Sequence, residues 1–320
     1  MLTTVRRRHH RFRRASTALV ICASLFVFLV ARDAQSATPS IDGGFHRTSY
    51  WKELVEFSNE PGSPESAIAV LISDLHDPKR LVQPRGPQSV LGTAVIVSSC
   101  HALTNRHLAF EQPNRPRAEL RNAAPTTRLV IVAGRGSDGR PLVKTAHPIQ
   151  FGDPGREGLF NVRRDWALLE LDDCFKDGEV QPAALLAATR ALYASLRGKL
   201  QCAAFLIEDM SFDAVSRGQH KLAGTTGASI IGELDIGGYL HNCGSKPGFS
   251  GMPIYTVREG RMLVIALNVG TLRNQSNYSR PMDAWDPEYA NTAVPVSEFI
   301  TAIHALVLER LKVKRIQEAW

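Results

Sequence analysis

The sequence predicts an all-β fold in two strand-rich units, joined by a helical connector and closed by a C-terminal helix. Three observations carry this. Short β-type runs recur between turn signals at 67–72, 89–97, 102–104, 128–133 and 166–171, and again at 199–207, 228–231 and 262–269. The stretch between the two sets, 182–196, is rich in Ala and Leu at helical spacing. Near the end, Phe299, Ile300, Ile303, Val307 and Leu311 repeat with a helical period behind Ser297, a candidate N-cap. The boundaries that follow are a leader at 1–37, an N-terminal extension at 38–65, a first β-unit at 66–181, a connector at 182–198, a second β-unit at 199–296 and a terminal helix at 297–320.

The leader reads as an export signal. Arginines cluster up to Arg14, an apolar run covers Ala18 to Ala31, and small residues follow at Ala34, Ser36 and Ala37, so that cleavage falls after Ser36 or after Ala37. The alternative is an uncleaved anchor over 15–31, whose 17 residues stand at the lower limit for spanning hydrocarbon. Either reading places the body outside the cytoplasm, periplasmic or secreted, with membrane contact only if the segment stays attached. The leader also explains the charge. The chain carries +7 overall, and residues 1–37, with seven arginines and one aspartate, account for +6 of it. The nearly neutral body gives no electrostatic case for a nucleic-acid partner. With 44% hydrophobic and 22% charged residues over 320 positions, the chain can bury a sizeable core and is neither disordered nor a polytopic membrane protein. Residues 38–65, rich in Gly, Ser and Pro, read as a loosely held extension.

Export changes how the cysteines read. Cys22 lies in the leader, which leaves Cys100, Cys174, Cys202 and Cys243 in an oxidising compartment, where disulfides are the default. Three pairings are open. None of the spacings is C-x-x-C, so no structural zinc is expected.

Three segments carry the chemistry. Gly92 to His107 (GTAVIVSSCHALTNRH) is a strand pair ending in a histidine. Asp165-Trp-Ala-Leu-Leu-Glu-Leu171 is an aspartate opening an apolar strand. Gly248-Phe-Ser-Gly-Met-Pro253 is a serine flanked by glycines at a tight turn, followed by the apolar run Met262–Val269. Taken singly, each has an ordinary structural reading: a histidine in a polar cluster, an aspartate cap, a turn. Together they supply what acyl transfer by a serine needs, namely a base for the hydroxyl proton, a carboxylate to orient the base, and backbone amides for the oxyanion.

In this order the segments resemble the chymotrypsin-like serine peptidases, most closely the secreted bacterial members. Leu-Thr-Asn-Arg-His107 is similar to that family's histidine motif, Asp165-Trp-Ala-Leu-Leu to its aspartate motif, and Gly248-Phe-Ser250-Gly-Met-Pro253 to its nucleophile loop. The resemblance covers about residues 66–305. It implies two antiparallel six-stranded β-barrels with the active site between them and a C-terminal helix. It also implies His107 as general base, Asp165 as its orienting carboxylate, Ser250 as nucleophile, and the amides of Gly248 and Ser250 as oxyanion hole. Protein or peptide substrates follow, with no cofactor and no metal.

The departures from the family pattern matter too. Phe249 replaces the aspartate that pairs with a freed N-terminal amine in zymogen-activated members, and Ile41 of the Ser-Ile-Asp-Gly-Gly stretch lies too far before His107 to supply that amine. Gly244 stands where members specific for basic side chains carry an aspartate. Arg106 and Phe249 are unusual neighbours, and they sustain a second reading: a catalytically silent binding protein on the same fold. An α/β-hydrolase is excluded, because Ser250 lacks the Gly-x-Ser-x-Gly elbow and the histidine comes first in the chain.

If His107 ends one strand and Asp165 begins another, the two meet only when those strands run antiparallel with these ends together. Cys100, seven residues before His107, and Cys174, nine after Asp165, then arrive near the opposite end. That pairs Cys100 with Cys174 and leaves Cys202 with Cys243.

Overall fold

Residues 68–72 of the first barrel (Ile-Ala-Val-Leu-Ile) are fully buried, and this continuous apolar run sets the architecture around it. A strand of β-branched and aliphatic residues covered on both faces must lie between a barrel interior and a second packed layer. The computed structural model of the chain describes residues 54–73, 90–109, 129–136, 138–153, 162–206, 221–233, 238–245, 248–271 and 291–306, all within one compact unit that begins at Gly44. The leader lies outside the described residues.

A short strand, β1 (Val55–Phe57), and a 3-10 turn at Pro64–Ala67 precede the first barrel. The barrel consists of β2 (Ile68–Ser73), β3 (Val90–Ser98), β4 (His101–Thr104), β5 (Leu129–Arg135), β6 (Pro141–Phe151) and β7 (Ala167–Leu171). These close in the order β2-β3-β4-β7-β6-β5, every pair antiparallel. A single helical turn, α1 (Arg106–Ala109), follows β4.

The connector contains β8 (Ala184–Leu185) and α2 (Arg190–Ser195). The Ala/Leu spacing predicts helix across it, and the structure corrects this. The first half is extended: β8 pairs in parallel with a strand of the second unit, and the amides of Ala183 and Leu186 donate to Ile96 and Val264 carbonyls, both at 2.8–2.9 Å. A short isolated helix is marginal, whereas the flanking strands offer these amides ready acceptors.

The second unit comprises β9 (Leu200–Phe205), β10 (Leu222–Ala228), β11 (Ile230–Glu233), β12 (Tyr239–His241), β13 (Pro253–Arg258), β14 (Arg261–Thr271) and β15 (Asn291–Pro295). Its hydrogen-bonded path runs β10-β9-β13-β14-β15-β12-β11, with β1 added outside β10 and β8 against β14. The two ends of that path, β10 and β11, are consecutive in the chain with only Ser229 between them. They act as one bent strand, and its chain connection closes the unit into a second six-strand barrel. Numbering the strands of each barrel one to six, both follow the same circuit, 1-2-3-6-5-4. The bend has local causes: Gly227 sits at φ +66°, the register slips between Thr226 and Ala228, the Ser229 amide donates to Asn242 Oδ1 at 2.7 Å, and its hydroxyl accepts from the Gly198 amide at 2.9 Å.

β1 falls within 38–65, the stretch expected as a loose extension, and is instead paired antiparallel with β10. Nearby, Glu65 is buried and accepts from the Tyr255 hydroxyl at 2.9 Å, which ties this segment to β13. After β15 a 3-10 turn at Val296–Glu298 leads into helix at 300–306; the rest of the expected terminal helix lies outside the described residues. One apolar cluster fills the first barrel and continues to Ala203, Phe205 and Tyr255 of the second unit. Another, around Cys202, Cys243, Phe249, Met252 and Ile254, lies within the second unit.

Candidate active site

The β4–β7 ladder brings the first two candidate residues together. His101 pairs with Glu170 and Thr104 with Ala167, so the chain leaving β4 and the chain entering β7 meet at one end. His107 is not on the strand, as the motif reading has it, but in α1, three residues beyond Thr104; Asp165 likewise precedes β7, just after a 3-10 turn at Val162–Arg164. The α1 turn presents the His107 amide to Asp165, which uses it. Its Oδ1 accepts from the His107 amide at 2.9 Å and its Oδ2 from His107 Nδ1 at 2.7 Å. Asn105 Nδ2 donates to the Asp165 carbonyl at 2.9 Å. The carboxylate side chain is 3% exposed and the imidazole 18%, so the ring has one buried edge and one open edge. With Nδ1 donating, the proton of a neutral ring is on Nδ1 and Nε2 is the free base.

At the other end of the same ladder, Cys100 is bonded to Cys174, Cα atoms 4.4 Å apart, and Cys202 is bonded to Cys243, Cα atoms 6.1 Å apart. These are the pairs that the strand argument selects.

The serine loop is pressed against β3 of the first barrel. The Thr93 amide donates to the Ser250 carbonyl at 2.8 Å, and Thr104 Oγ1 donates to the Thr93 carbonyl at 2.8 Å. At Gly92 an added Cβ would stand 2.7 Å from Leu108 Cδ1 and 2.8 Å from the Ser250 carbonyl oxygen. The residue that follows His107 and the serine loop therefore close on one point, where only glycine leaves room. Within the loop, Gly248 and Gly251 hold φ of +90° and +82°. Phe249 is fully buried in the second unit's core, so the residue in the aspartate's place anchors the loop by apolar burial. The Ser250 hydroxyl donates to the Val269 carbonyl at 3.2 Å.

Arg106, also on α1, is largely buried over the Phe151 ring, 5.8 Å from its centre. Burial pushes its guanidinium below the usual arginine range, against the pull of Asp165 and Asp153. Among the described residues, no group of three or more His, Cys, Asp or Glu side chains is placed to hold a metal ion.

Sequence reading missed Asn105, Thr93, His241 and Asn268. His241 and Asn268 are both fully buried beneath the serine loop. Asn268 had a visible signal, since it is the polar residue inside the apolar run Met262–Val269.

No protein-family model and no curated protein matches the chain. Solved structures do. A Glu endopeptidase in complex with MPD is 15% identical, with a TM-score of 0.49 over 79% of this chain and 96% of that one. Two scabies mite inactivated protease paralogues also match: S-D1 at 8% identity and TM-score 0.44 (78% and 94% covered), and S-I1 at 13% and 0.44 (79% and 98% covered). The chymotrypsin-like fold of this chain is written in its own strands: two six-strand units of one order, with the histidine and serine segments meeting at Gly92.

Proposed function

We propose that the chain is an exported serine endopeptidase acting through His107, Asp165 and Ser250. The observation that supports this best is the double hold of Asp165 on His107, which fixes the ring and leaves Nε2 as the base. In the first step the Ser250 hydroxyl turns from Val269 toward Nε2, an ordinary rotamer change. Nε2 takes the hydroxyl proton as Oγ bonds to the scissile carbonyl carbon. The amides of Gly248 and Ser250 receive the oxyanion, and Asp165 stabilises the imidazolium. The tetrahedral intermediate collapses, His107 gives its proton to the leaving amine, and an acyl ester remains on Ser250. Water, deprotonated by Nε2, releases the acid by the same path in reverse. The compartment is periplasmic or extracellular, in keeping with the two disulfides.

A catalytically silent binding protein is the second reading, favoured by the Ser250 hydroxyl's bond to Val269. A fluorophosphonate probe separates the two, because only an activated serine reacts quickly. The peptidase reading requires covalent labelling that is lost in Ser250→Ala and in His107→Ala, together with peptide turnover that falls by several orders of magnitude. A wild-type protein that neither labels nor turns over peptides would establish the silent reading.

A further inference from the structure

Asn268 and His241 are polar, fully buried and unused by the mechanism above. Buried polar groups are retained where each finds a partner, and these two find partners that lead to Ser250. The Cys243 amide donates to His241 Nδ1 at 3.3 Å. An amide N–H needs a lone pair, so Nδ1 is unprotonated and the ring proton sits on Nε2. Nε2 therefore donates to Asn268 Oδ1, 3.0 Å away. This fixes which way the Asn268 amide faces: its Nδ2 donates to the Phe249 carbonyl at 2.8 Å. The backbone of Asn268 holds the same loop, its amide donating to Met252 O at 2.8 Å and its carbonyl accepting from the Gly251 amide at 2.9 Å.

The Phe249 carbonyl is one half of a planar trans peptide whose other half is the Ser250 N–H, and the two point in opposite directions. That carbonyl accepts twice, from Asn268 Nδ2 and from the Met252 amide at 3.0 Å, so the plane cannot rock. On the far side of the serine, its own carbonyl is held by the Thr93 amide at 2.8 Å. We infer that Asn268, oriented by His241, is a positioning residue that aims the Ser250 N–H into the oxyanion hole. The inference rests on the peptidase reading. The relay adds no reacting group; it keeps a dipole aimed before charge develops, which is where oxyanion stabilisation gains its strength. Its loss should act on the transition state and spare substrate binding.

The test is steady-state hydrolysis of a chromogenic peptide by wild type, Asn268→Leu, His241→Leu and the double variant. A peptide boronic acid serves as the transition-state probe. Expected are a fall in kcat of about tenfold to hundredfold in Asn268→Leu, short of the loss on deleting a whole oxyanion donor, and a KM unchanged within about twofold. Affinity for the boronic acid should fall in step with kcat/KM. The double variant should be no worse than Asn268→Leu alone, since the two residues act in series. Unchanged kcat, a loss confined to KM, or additive losses would each overturn the inference. If Asn268→Leu gives no folded protein, His241→Gln against His241→Leu decides: glutamine can still donate to Asn268 and should recover most of the lost kcat, and no recovery counts against the relay. An active wild type with indifferent variants refutes this inference alone. A wild type without Ser250-dependent turnover refutes the peptidase reading, and this inference with it.

Discussion

Gly251 lies against Thr93 so closely that a side chain at 251 would run into the Thr93 carbonyl oxygen, with Thr104 Oγ1 only 2.9 Å away. That carbonyl is already held by the Thr104 hydroxyl, so it cannot retreat. Contact between the barrels thus depends on a missing Cβ directly after Ser250. Gly251→Ala combines this clash with a φ of +82° that alanine adopts only under strain. We expect a loss of about 3 kcal/mol or more in chemical denaturation, with serine labelling impaired even in the folded fraction. A fully stable, fully labelled Gly251→Ala would mean that the loop is not wedged.

The double hold of Asp165 on His107 makes a sharper prediction. Asp165→Asn preserves size and burial, yet its amide would present a donor where His107 requires an acceptor. The ring would then keep its proton on Nε2, the atom that the proposed mechanism needs as acceptor for the Ser250 proton. Peptide turnover should fall by about three to four orders of magnitude, with the unfolding midpoint nearly unchanged. Turnover within tenfold of wild type would rule out Nε2 as the base.

How much of this the sequence reveals depends on whether local pattern or distant partners decide the structure. The strands β2, β3 and β14 are legible because each carries a long, mostly buried apolar stretch, with Thr93 and Asn268 as polar residues inside β3 and β14. β6 is not: Lys144, Thr145, His147 and Gln150 give it the polarity of a loop, and only its neighbours on both sides make it a strand. The connector misleads for the same reason in reverse, since its helical spacing yields to acceptors on β3 and β14. At the site, the order of the His, Asp and Ser segments is legible, and so is the cysteine pairing, because antiparallel geometry converts sequence offsets into positions. The hydrogen bonds that orient the loop are not. Asn268 reaches Phe249 across 19 positions and Asn105 reaches Asp165 across 60, and no local period encodes such contacts.

His241 also sets a pH limit on stability. Burial is the main cause that lowers its pKa to about 4, opposed by its bonds with Asn268 and with the Thr292 backbone. In the unfolded chain a histidine titrates near 6.5. Below about pH 6.5 the unfolded state therefore takes up a proton that the folded state refuses, and stability falls as pH drops, until about pH 4, where the folded ring also protonates. The histidine contributes no such penalty at neutral pH; across the window its cost reaches about 3 kcal/mol. Urea unfolding of wild type and His241→Gln at pH 7 and pH 4.5 isolates it, the variant losing less stability by roughly that amount. Parallel losses in both proteins would show that His241 is already charged in the fold.

The last prediction concerns the Cys202–Cys243 bond, which links β9 to the chain just ahead of the serine loop. Cys243 donates its amide to His241, its carbonyl accepts from Asn291 Nδ2 at 2.8 Å, and its side chain packs with Phe249 and Met252. The bond closes a loop of 41 residues, so in the chain-entropy view it stabilises by about 4 kcal/mol. Cys100–Cys174 closes 74 residues and is worth about as much by the same reckoning, but its partners lie at the end of the β4–β7 ladder remote from His107. Replacing either pair with alanines should therefore cost similar stability and dissimilar activity. At a temperature where both variants stay folded, the Cys202→Ala/Cys243→Ala protein should lose kcat, because His241 and the Phe249 peptide lose their shared brace. The Cys100→Ala/Cys174→Ala protein should keep it. Equal kcat in the two variants would show that the serine loop is held by its apolar anchor and by β3 alone.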